Sequence, residues 1–97
     1  MKVVILNRAQ LDLLAGFWFY EKQLPGVGNH YVGTLKAEID SLSTTAGIHR
    51  RVGRYHRHLV RKFSTAIYYS LRDETVFVET ILDCRRSPEW VRWRLKS

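Results

Sequence analysis

The hydrophobic pattern changes from helical to extended period near Arg54, and that change constrains the fold more than any other feature. Upstream, Val32, Leu35, Ile39 and Leu42 step by 3, 4 and 3, the spacing of one helix face. Downstream, Tyr55, Arg57, Leu59, Arg61 and Phe63 alternate with His56, His58, Val60 and Lys62, the spacing of a strand. Helical periodicity first and extended periodicity after it predict an α+β domain, with helices on one face of a mostly antiparallel sheet. The basic strands then leave polar side chains on the opposite, open face.

The remaining elements follow from local chemistry. Residues 2–6, rich in β-branched side chains, read as a short strand. Asn7 stands as an N-cap with Gln10 three residues on, and Leu6 and Leu11 as a hydrophobic staple, so a helix is predicted over 8–23. Phe17, Trp18, Phe19 and Tyr20 put aromatics all round that helix, which predicts cover on more than one face. Gly16 in its middle costs about 1 kcal/mol relative to alanine, which predicts a close packing contact there. Leu24-Pro25-Gly26 with Gly28 is a turn, and a second helix is predicted over 29–43, antiparallel to the first. Strands over 54–63, 66–71 and 75–82, with a tight polar turn at Arg72-Asp73-Glu74, form a three-stranded antiparallel meander. Tyr68 and Tyr69 point to opposite faces of it. Ser87, Pro88 and Glu89 supply an N-cap, a first-turn proline and a first-turn acid for a helix over 88–96. That helix is too short to stand alone in water, so Trp90, Trp93 or Leu95 must dock.

With 97 residues and 45% hydrophobic side chains, the chain has the size and composition of one small folded domain, spanning 1–97. Its one cysteine, Cys84, excludes an internal disulfide and any multi-cysteine zinc site. No apolar run approaches the roughly 18 residues of a membrane span, and residues 3–6 are too few for a signal-peptide core. A cytoplasmic protein without a membrane partner is expected. The charge is more specific: 16 Lys+Arg stand against 9 Asp+Glu, a formal +7. Residues 1–48 hold four of each sign and residues 73–97 five of each. The whole excess therefore lies in residues 49–72, which carry seven basic side chains and no acid, together with His49, His56 and His58. Such a field favours an anionic partner, nucleic acid or an acidic protein.

Three stretches in this order resemble one family. LPGVG at 24–28 between two helices, RKFSTAIYY at 61–69 and ILDCRRSPEW at 81–90 resemble the ParE/RelE superfamily of bacterial type II toxin–antitoxin toxins. The similarity runs from Ala9 to Trp90, with one departure at Asp83, where many relatives carry histidine. The resemblance implies a RelE/ParE-like fold: a short N-terminal strand, a helical hairpin, the meander and a short C-terminal helix. It also implies a cytoplasmic toxin neutralised by a cognate antitoxin. RelE-like members cleave mRNA on the ribosome, whereas ParE-like members inhibit DNA gyrase. RelE chemistry needs cations that stabilise a phosphorane-like transition state and activate a 2′-hydroxyl. By this correspondence Arg57 and Arg86 keep two of those charges. Leu59, Ala66 and the position near Arg92 lack the family's lysine, arginine and tyrosine. Losing even one transition-state donor costs on the order of 100-fold in rate. The ParE-like branch is therefore expected, with Pro25 and the Tyr68-Tyr69 pair also ParE-like. A ribosome-dependent mRNA endonuclease using Arg57 and Arg86 is the alternative. A non-catalytic nucleic-acid-binding module ranks last, because it lacks exposed aromatics interleaved among its cations.

Partner or target contacts are expected from Arg57, Arg61, Arg85, Arg86, Trp90 and Trp93. Arg57 and Arg61 would share a strand face, and few acids stand near enough in sequence to pair the four arginines. His56 and His58 lie on one strand face, but zinc would need His49, His30 or Cys84 to join them, and solvated or interface histidines are the expected reading. Cys84 reads as a small, partly buried side chain. No cofactor and no metal are called for.

Overall fold

The computed structural model describes residues 1–96. Along the chain these form β1 (Lys2–Ile5), α1 (Asn7–Glu21), α2 (Val27–Thr45), β2 (Arg51–Val52), β3 (Tyr55–Val60), a 3-10 turn (Arg61–Phe63), β4 (Thr65–Arg72), β5 (Thr75–Asp83) and α3 (Pro88–Lys96). The strands make one sheet in the order β1-β5-β4-β3-β2. The meander of the sequence reading is present, with two-residue β2 added at its far edge. β1 returns to run parallel with β5, Val3 opposite Val76 and Ile5 opposite Val78.

The helical hairpin covers one sheet face. Leu35, Ile39 and Leu42 of the predicted stripe are buried against Ile67, Tyr69, Val76 and Val78, with Val32 half-buried beside them. Gly16 makes the close contact its cost implied: the Tyr31 ring of α2 occupies the place where a Cβ would stand. The hairpin turn is held by Glu21, whose carboxylate accepts the Gly26 and Gly28 N–H groups, each at 3.0 Å. This satisfies donors at the start of α2 that no N-cap side chain reaches.

The expected cap on α1 is different. Leu6, not Asn7, is the extended residue preceding the helix, and no side chain caps it. Leu6 donates its N–H to the Val78 carbonyl, so the strand ladder runs up to the helix and Asn7 is drawn into the first turn. Gln10 donates instead to the Ile5 carbonyl, and Leu11 is 65% exposed, so the staple is absent. Trp18 and Phe19 are also about half-exposed, so the aromatics of α1 are not all covered.

The opposite sheet face is not open. α3 folds back over it, and Trp90, Val91 and Leu95 pack on Tyr55, Ala66, Tyr68 and Leu82. Tyr68 and Tyr69 are consequently both buried, one in each core. A β-bulge interrupts the pairing of β4 with β5. Tyr68 pairs with Thr80 but Tyr69 with Val78, leaving Glu79 as the extra residue. Val76 and Val78 face the hairpin before the bulge. After it Ile81 does so, and Leu82 is turned to the α3 side. β3 stops at Val60 rather than running to 63. Phe63 swings into an aromatic group with Tyr20 and Tyr31, ring centroids 5.0 and 5.3 Å away, through the 3-10 turn and a left-handed Ser64 (φ 47°).

Candidate functional site

The candidate side chains gather where β5 ends and the chain turns into α3. Ser87 accepts the Trp90 N–H at 3.2 Å, so the predicted cap of α3 is formed. The helix is then fastened by a polar lock. Arg94 donates to Asp12 of α1 at 2.7 Å and to the Thr80 hydroxyl at 2.9 Å. Asp12 Oδ2 in turn accepts the Thr80 O–H at 2.6 Å and the Ile81 N–H at 2.9 Å. β1 ends short of Ile81, so that N–H has no strand partner and the carboxylate replaces one. The ion pair is mostly shielded from water, with side-chain exposures of 18% and 15%. Arg8 adds a bond to the Arg94 carbonyl, and Tyr55 one to the Leu95 carbonyl. Sequence reading missed this lock. Its signal was Asp12 on the same helix face as buried Ala9 and close-packed Gly16: an acid on an inward face needs a partner.

Beside the lock lies a cleft of about 330 Å³ between α1, β5 and α3, lined by Tyr20, Tyr31, Asp83, Arg86 and Trp90 among others. Arg85, on its rim, grips Asp83 through three bonds of 2.8 to 3.0 Å. Those bonds hold the Asp83 carboxyl below its ordinary range and raise Arg85 above its own. The expectation that the arginines lack acidic partners therefore fails at Arg85. Asp83 is two residues away, and the turn after β5 folds one onto the other. Arg86 lies exposed with its guanidinium 4.6 Å from the Trp90 ring centroid, a cation–π contact.

Arg57 reaches the same turn from β3. It donates to the Tyr68 hydroxyl at 3.3 Å and to the Cys84 sulfur at 3.4 Å, and it is half-buried. Burial works against its charge, but the two contacts outweigh that and raise its pKa. Arg61 lies exposed in the 3-10 turn, so it does not share a strand face with Arg57. Trp90 is partly buried against the second core, while Trp93 is 62% exposed. Of the positions carried over from RelE, Ala66 is fully buried and Leu59 is apolar at the surface. The histidines are engaged by protein groups, His56 with the His49 carbonyl and His58 with Glu38. Among the described residues no cluster of His, Cys, Asp or Glu is arranged to hold a metal ion, and no helix is long and apolar enough to cross a membrane.

Two solved structures share this architecture. A chain of the chromosomal ParDE TA system from P. aeruginosa superposes with a TM-score of 0.77 at 16% identity, covering 84% of this chain and 92% of that one. The isolated E. coli RelE toxin superposes with a TM-score of 0.60 at 15% identity, covering 98% and 96%. No protein-family model and no curated protein matches the sequence. The likeness is therefore one of fold.

Proposed function

We propose that this chain is the cytoplasmic toxin of a type II toxin–antitoxin module, of the ParE-like kind that inhibits DNA gyrase, and that a cognate antitoxin neutralises it. The observation that carries the choice of branch is the face beneath α3. Ala66 is sealed in the second core, Leu59 is apolar, and Arg57 is engaged by Tyr68 and Cys84. A transition state that spreads negative charge over phosphoryl oxygens needs several preorganised cations, each worth on the order of 100-fold in rate. Of the positions carried over from RelE, Arg57 and Arg86 alone hold a cation. The exposed cations Arg61 and Arg86, with Trp90 and Trp93, supply the target contact instead. Arg85, neutralised by Asp83, contributes less than its charge suggests.

The test sets the two activities side by side. Purified protein is expected to inhibit gyrase supercoiling of relaxed plasmid, or to trap cleaved DNA, and to leave mRNA intact in a translating extract. Arg61→Ala and Arg86→Ala should each reduce growth arrest on expression without lowering the melting temperature, since exposed charges contribute little to stability. Cuts at codon positions on the ribosome, with gyrase untouched, would move the assignment to the endonuclease with Arg57 and Arg86 as its catalytic pair. Full toxicity of both variants would remove them from the target surface.

A further inference from the structure

Three of the four histidines meet at the far edge of the sheet, on its hairpin-facing side. The His49 and His58 rings lie 4.4 Å apart between centroids, and His56 stacks on Tyr69 at 5.1 Å. Their hydrogen bonds assign the ring protons. A carbonyl only accepts, so His56 donates from Nδ1 to the His49 oxygen at 3.0 Å. Glu38 accepts from His58 Nε2 at 2.9 Å. Tyr69, which has no exposed surface, accepts the Gly47 N–H at 3.0 Å and lies 2.5 Å from His49 Nδ1. With His49 Nδ1 unprotonated, the Tyr69 hydroxyl donates to it, which satisfies the buried O–H. Burial pushes the Tyr69 phenol up, against hydrogen bonds from the Gly47 and His49 main chain, so the phenol keeps that proton.

Protonating His49 undoes this arrangement. Nδ1 becomes a donor aimed at an oxygen that already accepts from the main chain, and the Tyr69 O–H loses its acceptor inside the core. A cation then also stands beside His58. The groups facing His49 are His56 and His58 from β3, Tyr69 from β4 and Glu38 from α2. Burial and the two neighbouring histidines lower the His49 pKa, and Glu38 offsets them only in part.

We infer that His49 is a proton-operated latch: neutral, it fastens the segment between α2 and β2 to Tyr69, and protonated, it releases that segment together with the basic edge strand. Beyond the His56 bond to the His49 carbonyl, the Gly47 bond to Tyr69 and the packing of Val52, the edge rests on short pairing. β2 is two residues long, pairs only Arg51 with His56 and Val52 with Tyr55, and gains one more bond from Arg57 N–H to the Arg50 carbonyl. The inference stands independently of the toxin reading. Its sign follows from linkage. A histidine whose folded pKa lies below the unfolded value of about 6.5 stabilises the fold above that pH. The contribution is lost as pH falls from there through the folded value.

Amide hydrogen exchange at about pH 7.5 and about pH 5, corrected for intrinsic rates, brackets the ordinary histidine value. Protection of the amides over 47–52 is expected to fall several-fold at the lower pH, while the centres of α2, β4 and β5 hold. His49→Gln, which can still accept from Tyr69 but cannot titrate, should abolish the fall. His30→Gln, outside the cluster, should keep it. Edge protection unchanged with pH in the natural protein, or a full fall in H49Q, overturns the latch. Should H49Q not fold, imidazole NMR of the natural protein decides: His49 titrating below the free-histidine value supports the latch, and titrating at or above it overturns the latch.

Discussion

Glu74 follows Asp73 in a two-residue hairpin loop, closed by the Arg72–Thr75 pair, and both loop residues are left-handed, at φ 57° and 49°. This is the loop in which asparagine–glycine pairs predominate, because a Cβ at the second position is strained. Glu74→Gly is therefore expected to stabilise the protein, by about 1 kcal/mol before the entropy of the added glycine is subtracted. A thermal melt checks it, and a lowered midpoint would mean that Glu74 makes a contact worth more than the strain. The turn itself was legible from Arg72-Asp73-Glu74, and Gly16 announced its contact because a glycine in mid-helix needs a reason. Asp12 and Arg94 were not read, because their partnership spans 82 residues and neither neighbourhood hints at the other. Arg61 was misplaced because alternation alone does not show where a strand gives way to a 3-10 turn.

At the scale of elements, α3 is the test case. Its start was readable from Ser87 and Pro88, and its need to dock from its length, but not the face it covers. The polarity of β3 argued for an open sheet, and Tyr55, Ala66, Tyr68 and Leu82 overruled it. The bulge at Glu79 was equally hidden, since one unpaired residue leaves no mark on composition. The lock that results predicts a specific pattern of coupling. Arg94→Met leaves the shielded Asp12 carboxylate without its counter-ion, and Asp12→Leu leaves Arg94 unpaired and the Ile81 N–H without an acceptor. Each single change is expected to cost roughly 2–3 kcal/mol, below the range for breaking a fully buried pair because some water reaches both groups. The double change, which removes both charges, should cost less than the sum of the two. Denaturant melts of the four proteins give the coupling, and strict additivity would show that the ion pair does not hold the helix.

For the molecule as a whole, the excess charge maps to a strip rather than a pocket. Arg50, Arg51 and Arg54 line the β2 edge, Arg61 and Lys62 the 3-10 turn, and Arg72 the tip of the hairpin, all exposed. Arg57 is the half-buried one among the seven cations of residues 49–72, while exposed Arg54 donates to the Tyr55 hydroxyl and exposed Arg72 lies over the Phe77 ring. A predominantly positive surface steers an acidic partner toward the edge before any contact forms, so it acts chiefly on the association rate. Exposed charges at the rim contribute little once water and salt screen them, so the dissociation rate should respond weakly. For the antitoxin of the proposed module, an acidic segment that folds on binding, stopped-flow association is therefore expected to slow by about tenfold or more between low and high salt. The paired charge reversal Arg50→Glu with Arg51→Glu should reproduce much of that slowing at low salt, with an unchanged melting temperature, since neither side chain is buried. An association rate indifferent to both salt and the reversal would mean that the strip is a solvated surface and that recognition lies on the apolar side chains of α1 and α3 instead.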